Sequence, residues 1–487
     1  MRRPATCCVL AACLLDGAPA AAHAFGQRYD LPLPLWLFIA AAGSAVALSF
    51  AVMAMRVRRA DIGYPSIDLL ATPLRRLILR PAPILLLRIA SVGLFLLAVL
   101  AGLIGVQDPF RNIAPTLVWV IWWVGIAYVS AFLGDVWRLI NPPVVLFDWA
   151  EAAARRFGVA LGGRRPWPKR LGAWPAVLLL FLFAWAEIVW HGGETPRNIA
   201  VALLTYSLLS WAAMAVFGRE AWLTGGDAFA MVFGLLARFA PFGFSRQANG
   251  ETRLLLRPPA IGLLAKTPVS RSTMAFVLLM LATVTFDGFR ETPVWAAILD
   301  ALLESPALVP ALRSLQASGL DLGAFLTTSG LAAFFLLFLL VYRLFARAMT
   351  RAAGEGPDAD TTARLFVLTL IPIALAYHLA HYFSLLLIAG QLVIPLASDP
   401  FGFGWDLFGT ALYRIRIDIV DAKLVWHVAV TAIVLGHVAA VYLGHRIAVA
   451  VYPTARAALR SQVPMLALMV GYTMTSLWIL AQPVVQE

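Results

Sequence analysis

Long runs of apolar residues, separated by short segments rich in arginine, dominate this chain. A helix needs about 20 apolar residues to cross the hydrocarbon core of a bilayer. Ten runs approach or exceed that length, over the ranges 34–55, 84–105, 115–134, 174–191, 198–217, 273–289, 323–346, 365–394, 424–445 and 464–482. The pattern predicts an all-α, polytopic integral membrane protein with about ten transmembrane helices.

Composition supports the same class. The 487 residues are 61% hydrophobic and 13% charged, whereas a soluble domain carries about 25% charged residues. The spans consume most of the chain, so we expect a single ten-helix domain over residues 25–487 in contact with the lipid bilayer. The absence of a P-loop, a dinucleotide-binding glycine pattern and a G-x-S-x-G elbow disfavours ATP-driven transport and serine-hydrolase chemistry.

The first 24 residues have the features of a secretory signal peptide. Arg2 and Arg3 supply a basic start, a short apolar stretch follows, and Ala22-His23-Ala24 forms a cleavage site. A lipoprotein box ending at Cys13 is the alternative. All three cysteines, at positions 7, 8 and 13, lie in this segment. Cleavage after Ala24 therefore excludes disulfides, iron–sulfur clusters and thiolate metal sites from the mature chain.

Basic residues predict the orientation of the spans. With the mature N-terminus outside, the five inner loops carry 27 Lys and Arg residues and the outer segments carry eight. Both termini of the mature chain are then expected outside, facing the periplasm or the cell exterior. The net charge of +12 is thus an orientation and lipid-surface signal, and no nucleic-acid partner is expected.

Three connecting segments are long enough to contain structure of their own. The inner loop 218–272 includes an apolar stretch, 228–244, that glycine and proline interrupt; we interpret it as an interfacial or re-entrant segment. The outer loops 290–322 and 395–423 are expected to form short helices over the membrane. Asp399 and Asp406 of the second outer loop lie among aromatic residues that could line a pocket or form an interfacial belt.

The most informative polar residues are histidines inside the apolar runs. His378 and His381 are three residues apart and leave the same face of one predicted helix. His437 lies at a similar depth in the next predicted helix, so the three rings can converge. Three hypotheses remain open: a metal or haem site, a proton relay or substrate path, and buried histidines that hydrogen-bond neighbouring helices.

Two carboxylates near the outer ends of spans could take part in chemistry. Glu187 and His191 are four residues apart and would share a helix face, as a carboxylate that orients a histidine or as a simple helix-end pair. Asp287, in an apolar frame at the end of the sixth run, is a candidate base or ligand. The alternative for Asp287 is a helix-end turn with Gly288 as the C-cap.

Three segments resemble bacterial membrane proteins named fenitrothion hydrolases. They are residues 23–32 (HAFGQRYDLP), 377–383 (YHLAHYF) and 397–402 (ASDPFG), and the likeness covers nearly the whole chain. The resemblance implies hydrolysis of an organophosphorus triester at its P–O–aryl bond. We accordingly expect a bacterial inner-membrane protein that acts on a lipophilic small molecule.

These observations combine into one hypothesis for the site. A divalent metal of the zinc or copper class would bind His378, His381 and His437 and activate water, with Asp287 or Glu187 as ligand or base and His191 beside Glu187. Two other functions remain open. One is a transporter or channel for a small or metal-bound solute; the other is a haem- or copper-binding subunit of a redox assembly with unidentified membrane partners.

Overall fold

The computed structural model describes residues 29–56, 64–73, 80–163, 165–246, 252–265 and 267–486. The predicted signal peptide, 1–24, lies outside the described residues. The helices are α1 Leu35–Arg56, α2 Pro81–Ile104, α3 Ile113–Leu133, α4 Trp137–Ile140, α5 Pro142–Arg155, α6 Trp174–Ile188, α7 Pro196–Phe217, α8 Arg219–Gly225, α9 Ala228–Ala237, α10 Arg271–Arg290, α11 Pro293–Glu304, α12 Val309–Ala317, α13 Leu322–Ala353, α14 Ala359–Phe366, α15 Ile371–Ala389, α16 Val393–Ser398, α17 Ala422–Val451 and α18 Ala455–Ala481. The strands are β1 Tyr29–Asp30, β2 Ile67–Asp68, β3 Phe242–Arg246, β4 Thr252–Leu256 and β5 Val485–Gln486.

The predicted all-α membrane architecture is confirmed. In the described part of the chain, nine helical stretches are long and apolar enough to cross a bilayer. They are α1, α2, α3, α7, α10, α13, the continuous path Ala359–Ser398 that contains α14 to α16, α17 and α18. Each coincides with a predicted run, and the structure extends the eighth predicted run from 365–394 to 359–398.

The predicted fourth span is the exception, because α6 has only 15 residues. At 1.5 Å per residue it is about 22 Å long. It nevertheless lies beside α10 at both ends. The Ala173 amide donates to Ser272 Oγ at 2.8 Å, and Arg290 Nη1 donates to the Ile188 carbonyl at 2.9 Å. Helix α6 therefore accompanies α10 over most of its length.

The long connecting segments contain short helices. In 290–322, α11 and α12 form a pair bent by 89°, and Trp295 of α11 packs against Phe286 of α10 with ring centroids 5.3 Å apart. In 218–272, the apolar stretch contains the ten-residue helix α9, which Asp227 caps through the amides of Phe229 and Ala230, each at 2.9 Å. Most side chains of α9 are buried in the protein.

Two small sheets mark opposite ends of the bundle. Strand β1 pairs in parallel with β5, with Tyr29 opposite Val485, so the two ends of the described chain lie at one end, here called the terminal face. Strands β2, β4 and β3 form an antiparallel sheet in that order. Since α1 runs from β1 towards β2 and crosses the bundle, this second sheet lies at the other end, here called the basic face.

Helix α15 lies at the centre and is buried along most of its length. It packs closely against α17, because Gly436 has no side chain. A Cβ atom there would lie 2.5 Å from Ala376 Cβ and 2.7 Å from the Pro372 carbonyl oxygen. Protein interiors are packed too densely to absorb such an overlap without a shift. Gly436 thus sets the distance between α17 and the helix that carries His378 and His381.

Candidate functional site

Four polar side chains from three helices form a hydrogen-bonded chain inside the bundle. His381 Nε2 of α15 lies 2.8 Å from Asp287 Oδ2 of α10. The Tyr382 hydroxyl of α15 donates to Glu187 Oε1 of α6 at 2.9 Å and lies 3.5 Å from Asp287 Oδ2. The structure therefore brings together Glu187, Asp287 and His381, three residues that sequence patterns mark separately.

Two further side chains complete the chain. Trp123 Nε1 donates to Glu187 Oε1 at 3.1 Å. Arg290 Nη2 lies 3.4 Å from Asp287 Oδ1, one helical turn away. Asp287 is 13% exposed in its side chain and His381 3%, so water screens their interaction little. Asp287 therefore lies between a guanidinium and an imidazole.

The local backbone explains how these side chains reach one another. Residues four apart on a helix are neighbours, and His378 and Tyr382 have ring centroids 4.7 Å apart. The middle of α3, Thr116–Gly125, is a π-helix, a rare and wider form that often occurs at functional sites. It places Trp123 against Glu187 and, with centroids 6.1 Å apart, beside the ring of His378.

A cavity opens beside this chain between α3, α6, α9, α10 and α15. It is small, with a volume of about 50 Å³. Most of the lining is apolar, and the polar lining side chains are Glu187, Thr283, His378 and Tyr382, with Trp123 beside them. The cavity therefore places a few polar groups beside a small apolar space, which can hold water or one end of an apolar ligand.

His378 is the unusual member of the lining. The residue is 9% exposed, and neither ring nitrogen has a hydrogen-bond partner among the residues that the structure describes. Its carbonyl oxygen accepts from the Tyr128 hydroxyl at 3.3 Å, and the two rings meet edge to face. Buried polar groups are normally paired, so an imidazole held in place without a partner at a cavity wall is available to a bound molecule or water.

The third predicted metal ligand faces elsewhere. His437 Nδ1 lies 2.8 Å from the Ile433 carbonyl oxygen of its own helix, and its ring packs against Tyr472 at 5.8 Å. Within the described residues, no group of three or more His, Cys, Asp or Glu side chains is arranged to hold a metal ion. The expected convergence of His378, His381 and His437 is wrong, because His437 points towards α18 and His381 towards α10.

The expected helix-face pair of Glu187 and His191 is also wrong. Helix α6 ends at Ile188, so His191 lies in the following turn and not on the helix. Its side chain is 70% exposed and lies 3.6 Å from Asp321 Oδ2, at the start of α13. Glu187 instead turns inwards to Tyr382 and Trp123.

Three other sequence interpretations are resolved by local contacts. Helix α10 continues through Gly288 to Arg290, so Gly288 is not a C-cap. Asp399 accepts the amides of Phe403 and Gly404 at 2.9 and 2.7 Å, and Asp406 accepts the amide of Ala411 at 3.0 Å. Both aspartates thereby stabilise turns of the segment 395–423.

Sequence analysis missed Trp123, Tyr382 and Arg290 as site residues. Tyr382 follows His378 by four residues, and Arg290 follows Asp287 by three, so helical spacing was the signal for both. Trp123 had no such signal, because its role depends on the π-helix. Comparison with family models, curated proteins and solved structures found no match to this chain.

Proposed function

We propose that this protein is a membrane-embedded hydrolase that cleaves lipophilic organophosphorus triesters in the cavity beside His378. One observation carries the proposal: the His378 imidazole, which has no hydrogen-bond partner among the described residues, lines a mostly apolar cavity next to the hydrogen-bonded chain of Glu187, Tyr382, Asp287 and His381. The resemblance to fenitrothion hydrolases supplies the substrate class. A neutral triester partitions into lipid and matches the apolar walls, and its binding requires the surrounding side chains to move apart, because the cavity measures only about 50 Å³.

In this proposal His378 is the general base. Its free ring nitrogen accepts a proton from a water molecule, and the water oxygen attacks phosphorus. The P–O–aryl bond breaks and the aryloxide leaves with the bonding electron pair, so the products are a phosphorus diester and a phenol or phenolate. A positioned base of this kind typically contributes 10²–10⁴-fold to the rate.

Tyr382 is the proposed electrostatic partner. Its hydroxyl lies at the cavity wall and can turn from Glu187 towards the charge that develops on the phosphoryl oxygen or on the leaving aryloxide. Glu187 and Asp287 position that hydroxyl from two sides. His381 and Arg290 in turn hold Asp287. The proposal gives no role to a metal, because the described donors do not assemble a ligand set.

The test is a hydrolysis assay with fenitrothion on detergent-purified protein. We expect release of the phenol, and a loss of about 10²-fold or more in kcat for His378→Asn. His427→Asn is the matched control, because His427 is exposed, lies 2.7 Å from the Lys423 carbonyl oxygen and packs near Tyr29, away from the cavity. Equal activity of His378→Asn and the parent, or no hydrolysis by folded parent protein, would contradict the proposal.

A proton-coupled transporter is the second candidate, and the connected chain of titratable groups favours it. From Arg290 near the terminal face, the contacts run through Asp287 and Tyr382 to Glu187 at the cavity. Ionisable side chains linked in this way inside a membrane bundle are typical of proton relays. Proteoliposomes separate the two candidates, since a transporter accumulates intact fenitrothion under a proton gradient, whereas a hydrolase releases phenol in detergent without any membrane.

A further inference from the structure

Two arginines lie side by side at the basic face, apart from the cavity. Arg238 directly follows α9, and Arg257 directly follows β4. Arg257 Nη2 lies 3.4 Å from the Arg238 carbonyl oxygen. The backbone joins the two segments further, because the Arg257 amide donates to the Pro241 carbonyl at 2.8 Å and the Ala260 amide to the Phe239 carbonyl at 2.7 Å.

The guanidinium of Arg257 sits in a space that two glycines provide. A Cβ atom at Gly243 would lie 2.6 Å from Arg257 Cζ, and a Cβ atom at Gly262 would overlap Arg257 Nη2. Any side chain at either position would displace the guanidinium. The position of Arg257 is therefore set by the backbone on both sides, unlike that of a freely rotating surface arginine.

Neither arginine has a carboxylate partner in the described part of the chain. Nearby arginines do have one: Arg253 lies 3.5 Å from Asp68, and Arg271 lies 3.1 Å from Asp360. Arg257 Nε is buried without a hydrogen-bond partner. Burial and the neighbouring Arg257 charge lower the pKa of Arg238 from its ordinary value. Arg238 is exposed and Arg257 half-buried, so a phosphate that reaches both would supply the counter-charge that the described residues do not.

We propose that Arg238 and Arg257 bind the phosphate of an anionic phospholipid in the leaflet at the basic face. Guanidinium groups match phosphate oxygens through paired N–H donors. Basic pockets at the ends of transmembrane helices lie at the depth of the headgroups, where anionic lipids concentrate. This site rests on the membrane architecture alone and does not depend on the proposed hydrolase activity.

The test measures lipid binding by native mass spectrometry of the full chain in detergent. The probe is phosphatidylglycerol, with phosphatidylethanolamine as the zwitterionic comparison and inorganic phosphate as a competitor. The variant is Arg238→Gln/Arg257→Gln. The control is Arg156→Gln/Arg347→Gln, which removes the same charge from two exposed arginines towards the same end of the bundle.

We expect the parent and the control to bind phosphatidylglycerol in preference to phosphatidylethanolamine, and the Arg238/Arg257 variant to bind it about tenfold more weakly or worse. A variant with Arg238→Gln and Arg257→Lys should bind the lipid more tightly than the double glutamine variant, because lysine restores the positive charge but not the paired N–H donors of a guanidinium. Unchanged binding by the folded double glutamine variant would overturn the proposal. Inorganic phosphate that binds these arginines while the lipid does not would overturn the assignment to a lipid.

Discussion

His381 Nε2 and Asp287 Oδ2 lie 2.8 Å apart although 94 residues separate them in the chain. The contact joins α15 to α10 inside the bundle, and Arg290 approaches the other oxygen of the same carboxylate. An ionised carboxylate in so apolar a setting is costly unless partners surround it. This pair therefore serves both the packing of two helices and the position of Tyr382 beside the cavity.

We predict that Asp287→Ala and His381→Ala are strongly coupled. Removing one partner leaves the other buried group without this hydrogen bond, at a cost of about 1–3 kcal/mol. The double variant should lose less stability than the sum of the single variants, with a coupling energy of about 1–3 kcal/mol. The test measures the free energy of unfolding in mixed micelles for the parent, the two single variants and the double variant. Additive single effects would show that the two side chains do not interact.

We predict that Tyr382→Phe impairs chemistry more than substrate binding. The variant keeps the ring beside His378 and removes only the hydroxyl that contacts Glu187 and Asp287. Loss of one aligned donor costs about 10²–10³-fold in kcat, and KM should change little. Tyr413→Phe is the control, because Tyr413 contacts Gln391 at the surface. A rise in KM of about 10²-fold or more with an unchanged kcat would show that Tyr382 acts in substrate binding instead.

We predict that His437→Asn keeps hydrolytic activity, whereas His378→Asn does not. His437 contacts the backbone of its own helix and the ring of Tyr472, outside the residues that line the cavity. The substitution should cost stability by about 1–3 kcal/mol through the altered buried polar group. Parallel kinetics and thermal unfolding of the two variants separate these effects. If His437→Asn loses as much activity as His378→Asn, the two histidines act in one site and this prediction is wrong.

Cysteine labelling can test the expected orientation of the terminal face. Leu412, 93% exposed in the outer loop 395–423, and Phe157, 84% exposed beyond α5, lie on segments predicted to face opposite sides. With Cys7, Cys8 and Cys13 replaced by serine, Leu412→Cys should react with a membrane-impermeant maleimide in spheroplasts. Phe157→Cys should react only after the membrane is opened. The reverse labelling pattern would show that the chain has the opposite orientation in the membrane.

How much of this structure could be predicted depends on what hydropathy encodes. The spans were predictable because a bilayer demands about 20 apolar residues, and only α6 fell short. His378, His381 and His437 were expected inside the bundle, and all three are buried there.

The rotation of each helix about its axis was not predictable, since hydrophobic residues surround these helices on all sides. Without an amphipathic stripe, no pattern shows which face meets which neighbour. His437 consequently faces Tyr472, and Asp287 meets His381. The π-helix that places Trp123 against Glu187 has no sequence signal of its own.

Helix α17 approaches α15 closely at Gly436. We expect Gly436→Ala to destabilise the protein by about 1–3 kcal/mol, the usual cost of overpacking, since its Cβ would overlap Ala376 and Pro372. A displaced α15 would also move His378, and misplacement by about 1 Å can lower the rate by about 10²-fold. Kinetics and thermal unfolding of the purified variant measure both effects.

Gly444 supplies the matched control, two turns further along the same helix. Nothing lies within 4 Å of a Cβ atom built there, so Gly444→Ala should be neutral or slightly stabilising, as expected when glycine is replaced inside a helix. Both variants change the same residue type in the same helix, and only one meets α15. If Gly436→Ala behaves like Gly444→Ala in both stability and activity, the spacing between α17 and α15 does not determine the position of His378.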